Sequence, residues 1–218
     1  MKIGIFGGTF NPVHYGHLRA AEEVREQLGM DTVLFIPSKN PPLKTRNVAP
    51  AKHRYEMLKR ALRGSRQFTL SDIEFVRKGK SYTVRTLKSL QSLHPNAEFC
   101  FILGIDAFLD IPNWWQPEKL VALTDFVIIS RPGYRFKDLS ASPYLKAGTG
   151  MLQGLDRSRS RQRRVGLPGE RQAWLLSVTP VGISSTEIRN LLSKGRSIKF
   201  LLPPDVESYI ILNKLYRN

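Results

Sequence analysis

From its second residue the sequence alternates short apolar runs with stretches of helical period, and this alternation constrains the fold more than any other feature. Residues 2–6, 32–36, 68–75, 98–103, 125–129 and 174–178 are apolar runs of strand length. Between the first two, Leu18, Ala21, Val24 and Leu28 recur at spacings of three and four, and Val84, Leu87, Leu90 and Leu93 do the same in 82–93. That is the pattern of a helix with one apolar face. Gly29 stands where a helix end favours positive φ, and Pro50 opens the helical stretch 50–62 at the first position, which tolerates proline. Residues 117–123, 184–194 and 204–215 also read as helices. Alternating strands and helices predict an α/β, doubly wound fold, a mostly parallel sheet with helices on both faces, with a small helical C-terminal part over 183–218. Ligands of such sheets sit beyond the carboxyl ends of the strands, where strand order reverses. The loops after Phe6, Ile36, Leu103 and Ile129 are therefore where function is sought.

One stretch breaks the rhythm. Residues 140–172 hold several glycines, an arginine run from Arg157 to Arg164 and little periodicity, and read as an irregular, mobile insertion within a single domain spanning 1–218. The whole chain is basic, with 34 Lys and Arg against 18 Asp and Glu, a net charge of +16. Such a balance favours phosphate-rich partners. Residues 156–171 carry six arginines and two acids, which leaves +12 elsewhere, so the run alone does not explain the charge. No stacking aromatics are interleaved with it, which argues for a solvated loop over a specific nucleic-acid site. The one cysteine, Cys100, excludes an internal disulfide and a cysteine-rich zinc site. No apolar stretch approaches the roughly 18 residues of a membrane span, and 1–6 is too short and too soon followed by glycine for a signal peptide. A cytoplasmic location, with no membrane partner, is expected.

The loop after the first apolar run reads Gly7-Gly8-Thr9-Phe10-Asn11-Pro12-Val13-His14-Tyr15-Gly16-His17 and leads into a helix. Adjacent glycines let the backbone turn and approach a ligand, and the helix start presents unpaired N–H groups and a positive dipole end. His14 and His17, three apart, can face the same spot. Together they form a candidate phosphate cradle with two imidazole donors. It is neither G-x-G-x-x-G nor a P-loop. A zinc site would need a third ligand, and the alternative without a ligand is two histidines satisfying a helix start. A second helix opens at Ile183-Ser184-Ser185-Thr186-Glu187-Ile188-Arg189. Ser184 and Glu187 fit a capping box. Arg189 is unexplained by that, since a cation in the first turns is unfavourable unless an anion lies near.

The first segment resembles the G-G-x-F-x-P-x-H-x-G-H signature of the nucleotidyltransferase superfamily, and the second its I-S-S-T-x-I-R motif. Ser81-Tyr82-Thr83-Val84-Arg85-Thr86-Leu87, Gly104-Ile105-Asp106 and the Asn113-Trp114-Trp115 segment narrow the resemblance to bacterial nicotinate-nucleotide adenylyltransferases. Two adjacent tryptophans between prolines cannot both face one core, so one is free to stack on a planar ring.

The resemblance implies a Rossmann-like fold and transfer of an adenylyl group from ATP to nicotinate mononucleotide, forming nicotinate adenine dinucleotide and pyrophosphate. It implies that His14, His17 and Arg189 are catalytic. Gly8, Thr9, Phe10, Gly104, Asp106, Arg131, Ile183, Ser184 and Ser185 join them in binding ATP. Lys44, Ser81, Tyr82, Thr83 and Trp114 hold the acceptor, Lys44 on its phosphate. Leu43 stands where the family's P-P-H-K loop has histidine. With no carboxylate cluster in the sequence, Mg²⁺ is expected to be held mainly through the ATP phosphates, with no protein metal site. A homo-oligomer is compatible with the sequence. The alternative within the superfamily is transfer to another phosphorylated acceptor such as phosphopantetheine, and outside it a nucleic-acid-binding protein.

Overall fold

The computed structural model describes residues 1–42, 47–157 and 162–217. Seven strands form one sheet in the order β3-β2-β1-β4-β5-β7-β6. They are β1 (Lys2–Gly8), β2 (Thr32–Pro37), β3 (Phe68–Leu70), β4 (Glu98–Gly104), β5 (Asp125–Ile129), β6 (Gln162–Gly166) and β7 (Gln172–Leu176). All pairings are parallel except the antiparallel β6–β7 edge. Side chains alternate between two core layers, as the two-residue period of a strand requires. Phe99, Phe101 and Leu103 of β4 face one layer, and Cys100 and Ile102 the other. On β5, Phe126 and Ile128 oppose Val127 and Ile129 in the same way. The first layer is covered by α3 (Thr83–Leu93), α4 (Ile105–Leu109), α5 (Pro117–Val121) and α6 (Thr149–Arg157). The second is covered by α1 (Tyr15–Gln27), α2 (Ala51–Ala61), α7 (Ser185–Ser193) and α8 (Pro204–Leu212). Among the described residues no helix is long and apolar enough to cross a membrane.

Four readings of the sequence are corrected. The run 68–75 is a strand only to Leu70, because Phe75 N–H folds back to Asp72 O in a turn. Pro50 is the residue before α2 and not its first residue. Gly29 does adopt φ +58°, but Gly7 and Gly8 stay in β1 and the sharp turn after it is made by Phe10 at φ +47°. The two glycines serve close packing instead. A Cβ on Gly8 would lie 3.1 Å from the Phe10 ring, and one on Gly7 3.2 Å from Phe101. Finally, 140–172 is not irregular throughout. It supplies α6 and β6, and Leu152, Leu155, Val165 and Leu167 are buried in the first core layer. The exposed Arg163 and Arg164 lie on the edge strand, where charge discourages pairing with a second sheet.

Cys100 packs in the second layer, and burial pushes its thiol up to about 11. A thiol so rarely ionised should react with a soluble disulfide reagent about 10²-fold more slowly in the folded protein than in denaturant at pH 8. Equal rates of colour release in the two states would contradict the packing.

Candidate active site

Strand order reverses between β1 and β4, so the loops that leave them diverge and open a crevice at the sheet's carboxyl edge. Into it run the first loop, the start of α4 and the loop after β5. His14 precedes α1 and is buried, and its ring lies 3.8 Å from that of His17. The His14 N–H donates to His17 Nδ1 at 3.3 Å. With Nδ1 an acceptor, the proton of neutral His17 sits on Nε2, which makes that edge a donor. Burial, with the Arg131 charge adding to it, pushes His14 down to about 4. His14 is therefore neutral at physiological pH, and its buried Nδ1 has no partner among the described residues. Two close, tilted imidazoles, at least one of them neutral, can donate to an anion without repelling each other.

The second phosphate element meets the first. Ser185 Oγ donates to Pro12 O at 2.8 Å, and Arg189 Nη1 donates to Asn11 O at 2.9 Å. A Cβ on Gly16 would lie 3.0 Å from the His14 ring and 3.6 Å from Ile183 O, so the starts of α1 and α7 are neighbours. Ser184 caps α7 by accepting from Glu187 N–H at 3.1 Å, as its sequence position suggested. On the other flank Arg131 pairs with Asp106 at 3.0 Å, folded so closely over Gly104 that a Cβ there would meet Asp106 Oδ1. Gly8 and Thr9 line the start of the loop. The Phe10 ring, expected among the ATP contacts, is buried against Phe6, Phe35 and His17 instead, so only its backbone is available to a ligand.

The acceptor segments adjoin this cluster. Ser81 N–H donates to Asn40 O at 3.0 Å and Ser81 Oγ accepts from Asn40 N–H at 3.1 Å, tying the start of α3 to the loop after β2. Thr83 opens α3, with Tyr82 just before it. The two tryptophans do diverge. Trp114 packs edge-on to Phe101 and donates to Asp110 at 3.0 Å, whereas exposed Trp115 stacks on Tyr82 at 4.7 Å. Lys44 and Leu43 lie outside the described residues. Among those described, no three His, Cys, Asp or Glu side chains are grouped to hold a metal ion.

Comparison with known proteins agrees with this geometry. A cytidylyltransferase-like family model matches residues 5–191. A protein of Pelobacter propionicus named "Probable nicotinate-nucleotide adenylyltransferase" is 41% identical over 218 residues, covering 99% of this chain and 98% of its own length. One of the same name from Geobacter sulfurreducens is 42% identical over 217 residues, with the same two coverages. The chain belongs to the nicotinate-nucleotide adenylyltransferase family. In structure it is similar to Plasmodium falciparum nicotinic acid mononucleotide adenylyltransferase complexed with NaAD, at a TM-score of 0.74 and 26% identity over 99% of this chain and 97% of that one.

In this adenylyltransferase the support behind the first loop comes from residues that sequence reasoning missed. Arg54 on α2, only 1% exposed, donates to Thr9 O at 2.8 Å, Ala49 O at 2.9 Å and Lys39 O at 3.1 Å, bridging the loops after β1 and β2. Asn11 is equally engaged, with Asn47, Ala49 and Tyr216 on its side chain. No local motif marks Arg54 or Tyr216. In sequence one is a charge on an ordinary helix and the other follows a helix end.

Proposed function

We propose that this chain transfers the adenylyl group of ATP to nicotinate mononucleotide, releasing pyrophosphate, with the first loop and the tips of α1 and α7 holding the triphosphate. The observation that carries the reading is the convergence of these elements: Ser185 and Arg189 bond directly to the loop that leads to His14 and His17.

The nucleophile is an oxygen of the acceptor's own phosphate, already anionic, so no side chain need remove a proton. It attacks the α-phosphorus as the bond to the pyrophosphate oxygen breaks, and the electron pair leaves with pyrophosphate. The barrier is that of aligning two polyanions, a task to which positioning contributes about 7–11 kcal/mol. Fixed donors then stabilise the charge that spreads over the equatorial and leaving oxygens. His17 Nε2–H and His14 serve at the α-phosphate, Arg189 and the N–H groups at Ser184 and Ser185 at the β- and γ-phosphates, and Lys44 at the acceptor phosphate. Asp106 accepts from a ribose hydroxyl, and Arg131 with the backbone of Gly8, Thr9, Phe10, Gly104 and Ile183 borders the nucleotide. Magnesium enters as part of the substrate. An ion that dehydrates reluctantly would be held there mainly by the ATP phosphate oxygens and water.

Thr83 opens an 11-residue helix, whose unpaired first N–H groups suit the pyridine carboxylate. Ser81 and Tyr82 set the approach to it, and Trp114 offers its outer face to the ring. The test is purified protein with ATP, magnesium and nicotinate mononucleotide, measuring dinucleotide formed. N–H donors that face a carboxylate are left against an amide's own N–H group, so the acid should exceed the amide by at least about 10²-fold in kcat/KM. Equal values for nicotinamide mononucleotide would overturn the assignment of the α3 tip.

A further inference from the structure

The carbonyls of the first loop are pinned one after another. Thr9 O accepts from Arg54, Asn11 O from Arg189 and Pro12 O from Ser185, at 2.8, 2.9 and 2.8 Å. The N–H groups of Thr9, Phe10 and Asn11 donate to no acceptor among the described residues. A backbone whose carbonyls are tied back leaves its amides to a ligand, and such preorganised donors cost no reorganisation when charge develops. Preorganisation of this kind depends on Asn11, which is anchored through its side chain as well as its backbone.

Asn11 is 6% exposed. Its Nδ2 donates to Asn47 O at 2.8 Å, and its Oδ1 accepts from Ala49 N–H at 3.0 Å and from the Tyr216 hydroxyl at 2.8 Å. Tyr216 follows α8, over 200 residues away in sequence. Burial keeps its phenol protonated, although the nearby Arg189 and Arg54 charges pull the other way, so it remains a donor. Its ring packs in the second core layer.

We propose that Tyr216 is a positioning residue for adenylyl transfer: its hydroxyl fixes Asn11, and through Asn11 it holds the amides of the phosphate loop in the orientation the reaction uses. The inference rests on reading that loop as the triphosphate cradle. On this reading Tyr216 acts through Asn11, so its effect should fall on turnover and not on the acceptor's binding.

The test compares wild type, Tyr216→Phe, Asn11→Ala and the double variant in steady-state transfer, with amide hydrogen exchange read on the ligand-free proteins. Phenylalanine keeps the packing and deletes one hydroxyl. Loss of one buried hydrogen bond that orients the site should lower kcat about tenfold. The KM for nicotinate mononucleotide should stay within about twofold, and Tm within about 3 °C. Exchange of the Ala49 amide, which donates to Asn11 Oδ1, should quicken about tenfold while β1 is unchanged. In the Asn11→Ala background, Tyr216→Phe should add little, since coupled residues are not additive. Tyr216→Phe turning over at the wild-type rate with unchanged exchange at Ala49 would overturn the proposal, as would full additivity with Asn11→Ala. If wild type makes no dinucleotide, the functional reading is what fails. The exchange comparison then decides by itself whether Tyr216 holds the loop.

Discussion

His17→Ala is expected to lower kcat by about 10²–10³ while changing the affinity for ATP by less than about threefold, because a donor aimed at developing charge acts mainly in the transition state. The geometry gives the reason. His17 Nδ1 accepts from the His14 N–H, which places the proton of the neutral ring on Nε2, and the ring is braced edge-on by Phe10 at 5.1 Å and Phe6 at 6.2 Å. A braced ring can hold a proton at one place without reorganising. Gln at this position, with an amide N–H at a similar reach, should recover part of the loss. His14 should leave no mark on the rate between about pH 6 and 9, since its folded value of about 4 keeps it neutral throughout that range. Steady-state kinetics beside equilibrium binding of a non-reacting ATP analogue separates the two effects. A fall in kcat/KM that arises from KM alone would show that His17 grips the ground state and has no special part in transfer.

What could be read from the sequence, and what could not, follows from the range of the interactions. Parallel strands buried on both faces announce themselves as continuous apolar runs, and β1, β2, β4 and β5 were legible within two residues for that reason. The helix tips were legible because capping and glycine chemistry is local: Ser184 with Glu187, and His14 with His17, lie three residues apart. The stretch 140–172 was not legible, because α6 and β6 flank an arginine run whose charge conceals the short apolar period of Leu152, Leu155, Val165 and Leu167. The strand role of 71–75 was overread, since Ile73 and Phe75 look like strand residues but sit in a turn. The two tryptophans diverge as the sequence suggested, but Trp114, expected to be the stacking one, packs against the core while Trp115 is the exposed, stacked ring. Their partners, Phe101 for one and Tyr82 for the other, depend on tertiary structure that no spacing records. The same holds for Asn11 and Tyr216, whose contact joins residues 205 apart.

Arg54→Met should lower stability by about 3 kcal/mol, a loss of roughly 6–12 °C in Tm for a chain of this length. The sign is not obvious, because two large terms oppose each other. Burying a guanidinium costs several kcal/mol, and replacing a buried charge with an apolar side chain of similar volume is often neutral or better. That outcome requires that the partners be replaced as well. Here they are main-chain carbonyls of Thr9, Lys39 and Ala49, and no side-chain substitution removes them. Each buried acceptor left without a donor costs about 1–3 kcal/mol. The buried Glu74 also loses a nearby cation, keeping among the described residues the Thr86 hydroxyl and the Lys39 N–H as donors. The unsatisfied acceptors and the bared carboxylate together outweigh the recovered desolvation. Lys at 54 should regain less than half of the loss, since a point ammonium cannot reach three carbonyls that a planar fork reaches at once. Turnover should fall with stability in Arg54→Met, because Thr9 O is released from the back of the phosphate loop. Thermal unfolding of both variants at pH 7.5 tests the account. A methionine variant as stable as wild type would mean that water satisfies those carbonyls and that Arg54 is held for its charge alone.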